Sequence, residues 1–301
     1  MGFSGMDHLL RAQTVLGDLE KWDFEKTPVT AGALAASAYY DFYEAGPLPA
    51  ANAFPVGSKA FKAVRANSGT PQAGGVNINA NAFTVPSNSK TRHLTYLEHN
   101  GGNVASTTGD LILLDLVGFY CDFDLAAGAG TYATGTGVGV ADVTRYTTGK
   151  NLFMYLVAQV VFTGTAPSFQ INYTTGGLAS VSTAALALIN TCVKGRVCTT
   201  TYFKVPFGSN DPTVVAVRSV TLAGGAAPTG KVAIMIAKEI GRVTNGTAQL
   251  STSKSFVNPA GEFSAPGWDS DSVPAYVWKT TGAPTTPSIA GQFQTTAGYA
   301  T

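Results

Sequence analysis

The stretch that most constrains this chain is Asn151–Tyr173, NLFMYLVAQVVFTGTAPSFQINY. Residues Phe153 to Phe162 are almost wholly apolar and rich in Val, Phe, Tyr and Leu, the residues that fit a pleated, buried strand. Thr163-Gly164-Thr165-Ala166-Pro167 then breaks any continuation. The returning limb alternates, with Phe169, Ile171 and Tyr173 on one face and Ser168, Gln170 and Asn172 on the other. One face is therefore packed and one is wet. The pattern predicts a hairpin of two strands at the centre of a β-sandwich, and nothing in it has the character of a catalytic motif.

Further β signals are dense from Lys90 onward. Strands are expected at Arg92–His99, Asp110–Cys121, Val140–Tyr146, Leu152–Phe162, Phe169–Thr174, Lys194–Phe203, Val214–Leu222 and Gly230–Ile240, joined by Gly- and Thr-rich turns. Short strands at such spacing define an all-β, antiparallel sandwich, jelly-roll-like in its regular succession. Ser180–Asn190 reads either as a short helix or as a segment crossing between sheets. Before this body, shorter strands are expected at Ala38–Tyr43, Lys59–Val64 and Val76–Val85, separated by long loops.

Both ends have a different character. Over Ser4–Trp22, Leu9, Leu10, Ala12, Val15, Leu16 and Leu19 recur at helical spacing, which predicts an amphipathic helix. After Arg242, Thr, Ser, Pro and Gly rise while aromatics such as Trp268, Tyr276 and Trp278 are spaced through the segment. That pattern predicts an extended arm anchored by its rings. The expected organisation is an N-terminal helix or arm over 1–26, a sandwich body over 27–241 and a C-terminal arm over 242–301. Leu9, Leu10, Val15, Leu16, Leu19, Trp22, Trp268, Tyr276 and Trp278 are the candidate assembly-interface residues.

Composition then narrows the function classes. Only 12% of residues are charged and the formal net charge is +1. A free-standing protein ordinarily keeps a more charged surface, so a surface this neutral points to cover by copies of itself or by partners. The dispersed basic residues Arg65, Arg92, Arg145, Arg196, Arg218 and Arg242 make no stripe for phosphates, so no direct nucleic-acid binding is expected. The start of the chain lacks a basic region followed by an apolar one, and no run reaches transmembrane length without polar breaks. Folding in a cytoplasm without membrane insertion is the expectation.

No catalytic set, cofactor site or metal site is expected either. Asp110, Asp115, Asp122 and Asp124 are the nearest approach to one; Asp122 and Asp124 share a strand face, but calcium needs six or more oxygens. His93 and His99 lie on one strand face yet ~20 Å apart along it. Cys121, Cys192 and Cys198 lack zinc spacing; Cys192 and Cys198 are either bridged or buried as small apolar residues. The glycines of Gly128–Gly139 are not followed by a helix, so they do not form a nucleotide loop.

Several segments together resemble a known group. Thr108–Tyr120 (TGDLILLDLVGFY), Thr144–Leu178 (with its Arg145-Tyr146 step into the long apolar strand) and Arg218–Ile240 (RSVTLAGGAAPTGKVAIMIAKEI) are similar, in order, to structural proteins of tailed bacteriophages. The resemblance covers most of Met1–Ile240, and the region after Arg242 has no counterpart. It implies a non-enzymatic virion component with a sandwich fold, capsid-associated as a minor capsid, decoration or cement protein. Its partners would be copies of itself and the major capsid protein or other virion proteins. The competing readings are a neck, tail or baseplate protein and a receptor- or glycan-binding sandwich.

Overall fold

The computed structural model describes residues 19–26, 35–41, 65–66, 92–100, 109–135, 137–143, 145–225, 229–246, 251–256, 267–268, 274–283 and 289–297. Its axis is a pair of long antiparallel strands, β5 (Gly109–Asp124) and β12 (Lys231–Asn245), paired from end to end through three register shifts. On the far side of β12 lies β7 (Leu152–Val160). On the far side of β5 lies β15 (Pro274–Thr280), which in turn pairs with β2 (Tyr39–Asp41). A two-residue strand, β3 (Arg65–Ala66), runs parallel to β5 further along.

The two edges of this central sheet are joined. Residues 195–198 bond to β2 on one side, with Asp41 N donating to Gly195 O at 2.7 Å and Val197 N to Tyr39 O at 2.9 Å. On the other side Ala158 N donates to Arg196 O at 2.9 Å and Cys198 N to Leu156 O at 3.0 Å. Closure leaves neither β2 nor β7 as a bare edge, the usual liability of a sheet. The expected strand Lys194–Phe203 is thus present as a line of bridges rather than a continuous strand.

Side-chain parity sorts the core. Phe153, Tyr155 and Val157 of β7 pack with Ala233, Met235 and Ala237 of β12, with Phe119, Tyr40 and Trp278, and onward to Leu94, Leu97 and Phe293. The alternate residues, Met154 and Leu156 with Ile234 and Ile236, face a second sheet. That sheet contains β8 (Ser168–Thr174) and β11 (Ala216–Ala223), with β6 (Gly130–Ala133) on one side and β9 (Ser180–Ser182) and β10 (Leu186–Ala187) on the other. Phe169, Ile171, Tyr173, Val220 and Leu222 fill its inner face, and the Phe123 and Phe169 rings meet edge to face at 6.0 Å. The result is an antiparallel β-sandwich. The connections β5–β6, β6–β7, β7–β8 and β11–β12 all cross between its layers.

The expected hairpin is corrected here. β7 and β8 belong to different sheets, and residues 161–167 arch between them. The reason is visible in burial: eight of the nine β7 residues are buried. Such a strand needs cover on both faces, and β8, apolar on alternate residues, supplies it from the layer above. Val140–Tyr146 is also not a strand; its Asp142 and Val143 amides donate to Val215 O. Ser180–Asn190 is a crossing segment holding β9 and β10 rather than a helix.

A third sheet gathers both chain ends: β1 (Leu19–Lys26), β16 (Ile289–Ala297), β4 (Arg92–Asn100) and β13 (Ser251–Ser255), with β14 (Gly267–Trp268) also on β4. Leu19–Trp22, expected as the end of a helix, is strand. In the sequence Trp22 and Phe24 alternate with Asp23 and Glu25, a two-residue period, and the strand pairs antiparallel with β16. Residues 4–18 of that expected helix lie outside the described residues, as do the expected strands at 59–64 and 76–85.

The C-terminal region is not an arm outside the body. The expected boundary at 241/242 falls inside β12, and β15 is a strand of the central sheet. Gly109 makes that docking possible: at φ +148°, a Cβ there would lie 1.8 Å from the Lys279 carbonyl oxygen.

Candidate assembly surface

The candidate assembly residues separate into three groups. Leu9, Leu10, Val15 and Leu16 lie outside the described residues. Leu19, Trp22 and Trp268 sit on strands of the third sheet, opposite Thr296, Phe293 and Arg92. Tyr276 and Trp278 are buried in the chain's own core, Trp278 completely. This corrects their reading as outward anchors: on β15 they stand opposite Leu113 and Leu111 of β5, in one buried cluster with Phe293 of the third sheet.

The residues considered for chemistry have structural work instead. Asp124 caps the short 3-10 turn Leu125–Ala127 by accepting from Ala126 N at 2.9 Å. His99 is fully buried on β4, and burial pushes its pKa down to about 4. No group of three His, Cys, Asp or Glu able to hold a metal ion occurs among the described residues. Cys121, Cys192 and Cys198 are all free thiols and all buried, so the bridged alternative is not adopted. Burial pushes the Cys192 thiol up to about 12. Among the described residues no helix is long and apolar enough to cross a membrane.

A cluster missed in the sequence joins the 142–146 segment to β5. Arg145 Nη2 donates to Asp115 Oδ1 at 2.7 Å and to Leu116 O, and Tyr146 Oη donates to Asp115 Oδ2 at 2.9 Å. Lys238, cross-strand from Asp115, lies 4.0 Å from the Tyr146 ring centroid. Close by in sequence, Tyr120 Oη donates to Asp142 Oδ2 at 3.0 Å. A separate buried pair, Tyr155 Oη to Asp41 Oδ2 at 2.8 Å, ties β7 to β2 inside the closed sheet. The signal for the first cluster was one carboxylate inside the apolar run LILLDLVGFY. A buried Asp needs a cation or several donors.

On the surface, charge is gathered in a small network. Lys204 Nζ reaches Glu239 Oε2 at 2.9 Å, Arg242 Nε reaches Glu239 Oε1 at 3.2 Å, and Arg242 lies 3.5 Å from Asp110. Burial pushes the Glu239 carboxyl up, but Lys204 and Arg242 together hold it below its ordinary value.

The outer face of the second sheet is different. Its cross-strand rows carry Ser, Thr, Asn, Gln and Ala, whose hydroxyls and amides bond to one another, and Arg218 Nη1 of β11 donates to Ser180 Oγ on β9.

No family model matches the chain, and no curated protein matches it. Among solved structures it has similarity to capsid structures of infectious bursal disease virus. The VP2 subviral particle aligns at 9% identity and a TM-score of 0.21 over 93% of this chain and 80% of that one. The T13 viral particle aligns at 9% identity and 0.19, over 93% and 77%. Overlap at that TM-score carries no argument about fold or function.

Proposed function

We propose that this chain is a structural subunit of a virus particle, of the tailed-phage kind that its strand motifs resemble. Its station is the capsid, as a minor capsid, decoration or cement protein bound to copies of itself and to the major capsid protein. The observation that carries this reading is where the chain puts its few charges. Only 12% of residues are charged, and of those Asp41, Asp115, Asp142 and Arg145 are buried, tying segments of the body together.

Among the described residues, what remains outside is poor in charge and rich in short side chains. Such a surface loses little hydration of charge and little side-chain entropy when covered, which suits close packing in a shell. It suits a free-standing soluble protein much less.

The test is to inactivate the coding gene in the phage and purify the particles that form. The wild-type chain should band with particles through a density gradient, and particles without it should lose their contents at a lower temperature. A chain that stays in the soluble fraction, with mutant particles as stable as wild type, would contradict the proposal.

A further inference from the structure

One side chain of the third sheet is not served by its surroundings. His99 on β4 is fully buried, and among the described residues neither of its ring nitrogens has a hydrogen-bond partner. A buried polar group normally has one. Register puts Gly291 of β16 on one side of it and Thr252 of β13 on the other. Gly291 offers no side chain. The Thr252 hydroxyl is committed elsewhere, donating to Asn245 Oδ1 at the end of β12 at 3.2 Å. Exclusion of water, rather than a partner, therefore keeps this imidazole neutral.

The cover that excludes water is slight on one side. β13 is an edge strand, with Ser251, Ser253, Lys254 and Ser255 exposed and Thr252 half-buried. It is pinned near its start by the Thr252–Asn245 bond. Just past its end Phe256 is buried over Gly241, where a Cβ would lie 2.6 Å from Leu94 and 2.8 Å from Phe256. The Phe256 amide donates to Thr95 O at 2.9 Å. Between those points the strand buries little apolar surface, and a segment of that kind opens at low cost in free energy.

Charge decides when it opens. Burial holds the His99 pKa down at about 4, and Asp110 on β5 pulls less strongly the other way. The Asp110 carboxylate already accepts from Thr244 Oγ1 at 2.7 Å and lies 3.5 Å from Arg242 of β12. On β13 the Lys254 ammonium lies 5.0 Å from the Phe256 ring centroid. On β4 itself, Glu98 alternates with His99 and bonds to Tyr96 and Gln292, and His93 stands near the other end of the strand.

With β13 lifted, water reaches the ring and its pKa returns towards the ordinary 6.5. The open form then binds more protons between pH 6.5 and about 4, so opening is favoured as pH falls through that window. Relative to neutral pH, the open population rises about 20-fold at pH 5 and about 100-fold at pH 4.

We infer that β13 is an acid-released strap: proton uptake by His99 lifts Ser251–Ser255 off β4 while the two layers of the sandwich stay closed. This device is independent of the particle reading and would operate in any setting of the chain.

The test is hydrogen exchange of the full chain at pH 7, 6, 5 and 4, read by mass spectrometry and corrected for the intrinsic pH dependence of exchange. Amides of residues 251–255 should lose protection by about 20-fold at pH 5, while those of β8 and β11 keep theirs. His99→Leu should remove the pH dependence and leave the strap protected. A second variant keeps His99 in place: Glu98→Cys/Ser253→Cys joins cross-strand partners, and the native cysteines are buried. Its oxidised form should show no acid loss in β13, and reduction should restore that loss.

Protection of residues 251–255 that is unchanged from pH 7 to pH 4 would overturn the inference. A loss shared equally with β8 and β11 would overturn it as well, because that is global unfolding. So would a pH dependence that persists in His99→Leu or in the oxidised double Cys variant. If His99→Leu does not fold, the wild-type chain and the double Cys variant decide the matter.

Discussion

Arg145→Leu removes the cation that faces Asp115, and the structure sets the size of the loss. Asp115 is fully buried, Arg145 nearly so, and their contact is 2.7 Å. Breaking a buried pair from one side leaves an uncompensated charge and costs about 3–5 kcal/mol, whereas replacing both partners by apolar groups is often close to neutral. At roughly 2–4 °C per kcal/mol for a large domain, Arg145→Leu should lower the melting temperature by roughly 6–20 °C. Asp115→Leu/Arg145→Leu should recover most of that. Calorimetry gives the shift, and hydrogen exchange localises it: the Asp142 and Val143 amides, bonded to Val215 O, should exchange faster in Arg145→Leu. Tyr146 and the nearby Lys238 are the competing partners for Asp115. If Arg145→Leu unfolds within about 1 kcal/mol of wild type, those groups suffice and the clamp assigned to Arg145 is refuted.

Four further outcomes follow from the same structure. His99 has a folded-state pKa of about 4 against an ordinary 6.5. The unfolded chain therefore binds more protons between those values, and stability present above pH 6.5 should be lost as pH falls to about 4. The loss is on the order of 3 kcal/mol, and a denaturant series across that range should show a slope that His99→Leu flattens. Gly109→Ala, whose Cβ would meet Lys279 O, should lower the denaturation midpoint through backbone strain of about 1–3 kcal/mol or more; an unchanged midpoint would show that β15 docks differently. Removing residues 267–301 should abolish cooperative unfolding, because Tyr276, Trp278 and Phe293 leave the core, each at about 3–5 kcal/mol by analogy with truncation to Ala. A thiol reagent should leave all three cysteines unmodified in the native chain and react with them once it is unfolded.

The legible parts of this fold were those written in local period. The alternation of SFQINYT marked β8 with its inner and outer faces, and the long apolar run in LILLDLVGFY marked β5. What was not legible depended on partners distant in sequence. The β7 run and β8 read as neighbours across a turn, yet burial on both faces of β7 places them in different layers. Aromatics thinned by Pro, Thr and Gly gave the region after Arg242 the composition of an arm. Within it, the seven residues PAYVWKT form a strand of the central sheet because β5 offers a free edge. At the other end, helical spacing through Leu19 concealed the change of period at Trp22 and Phe24. The Asp115 partner could be anticipated in kind but not in position, since Arg145 reaches it only through the fold.

Copy number is the most direct test of the particle role. Quantitative mass spectrometry of purified virions should find this chain at a fixed ratio to the major capsid protein. Hundreds of copies would match a shell-wide cement role and about sixty a vertex role, following the symmetry of closed shells. Roughly six or twelve copies would move it to a neck or tail ring, contradicting the capsid station. Absence from washed particles would contradict the structural role altogether.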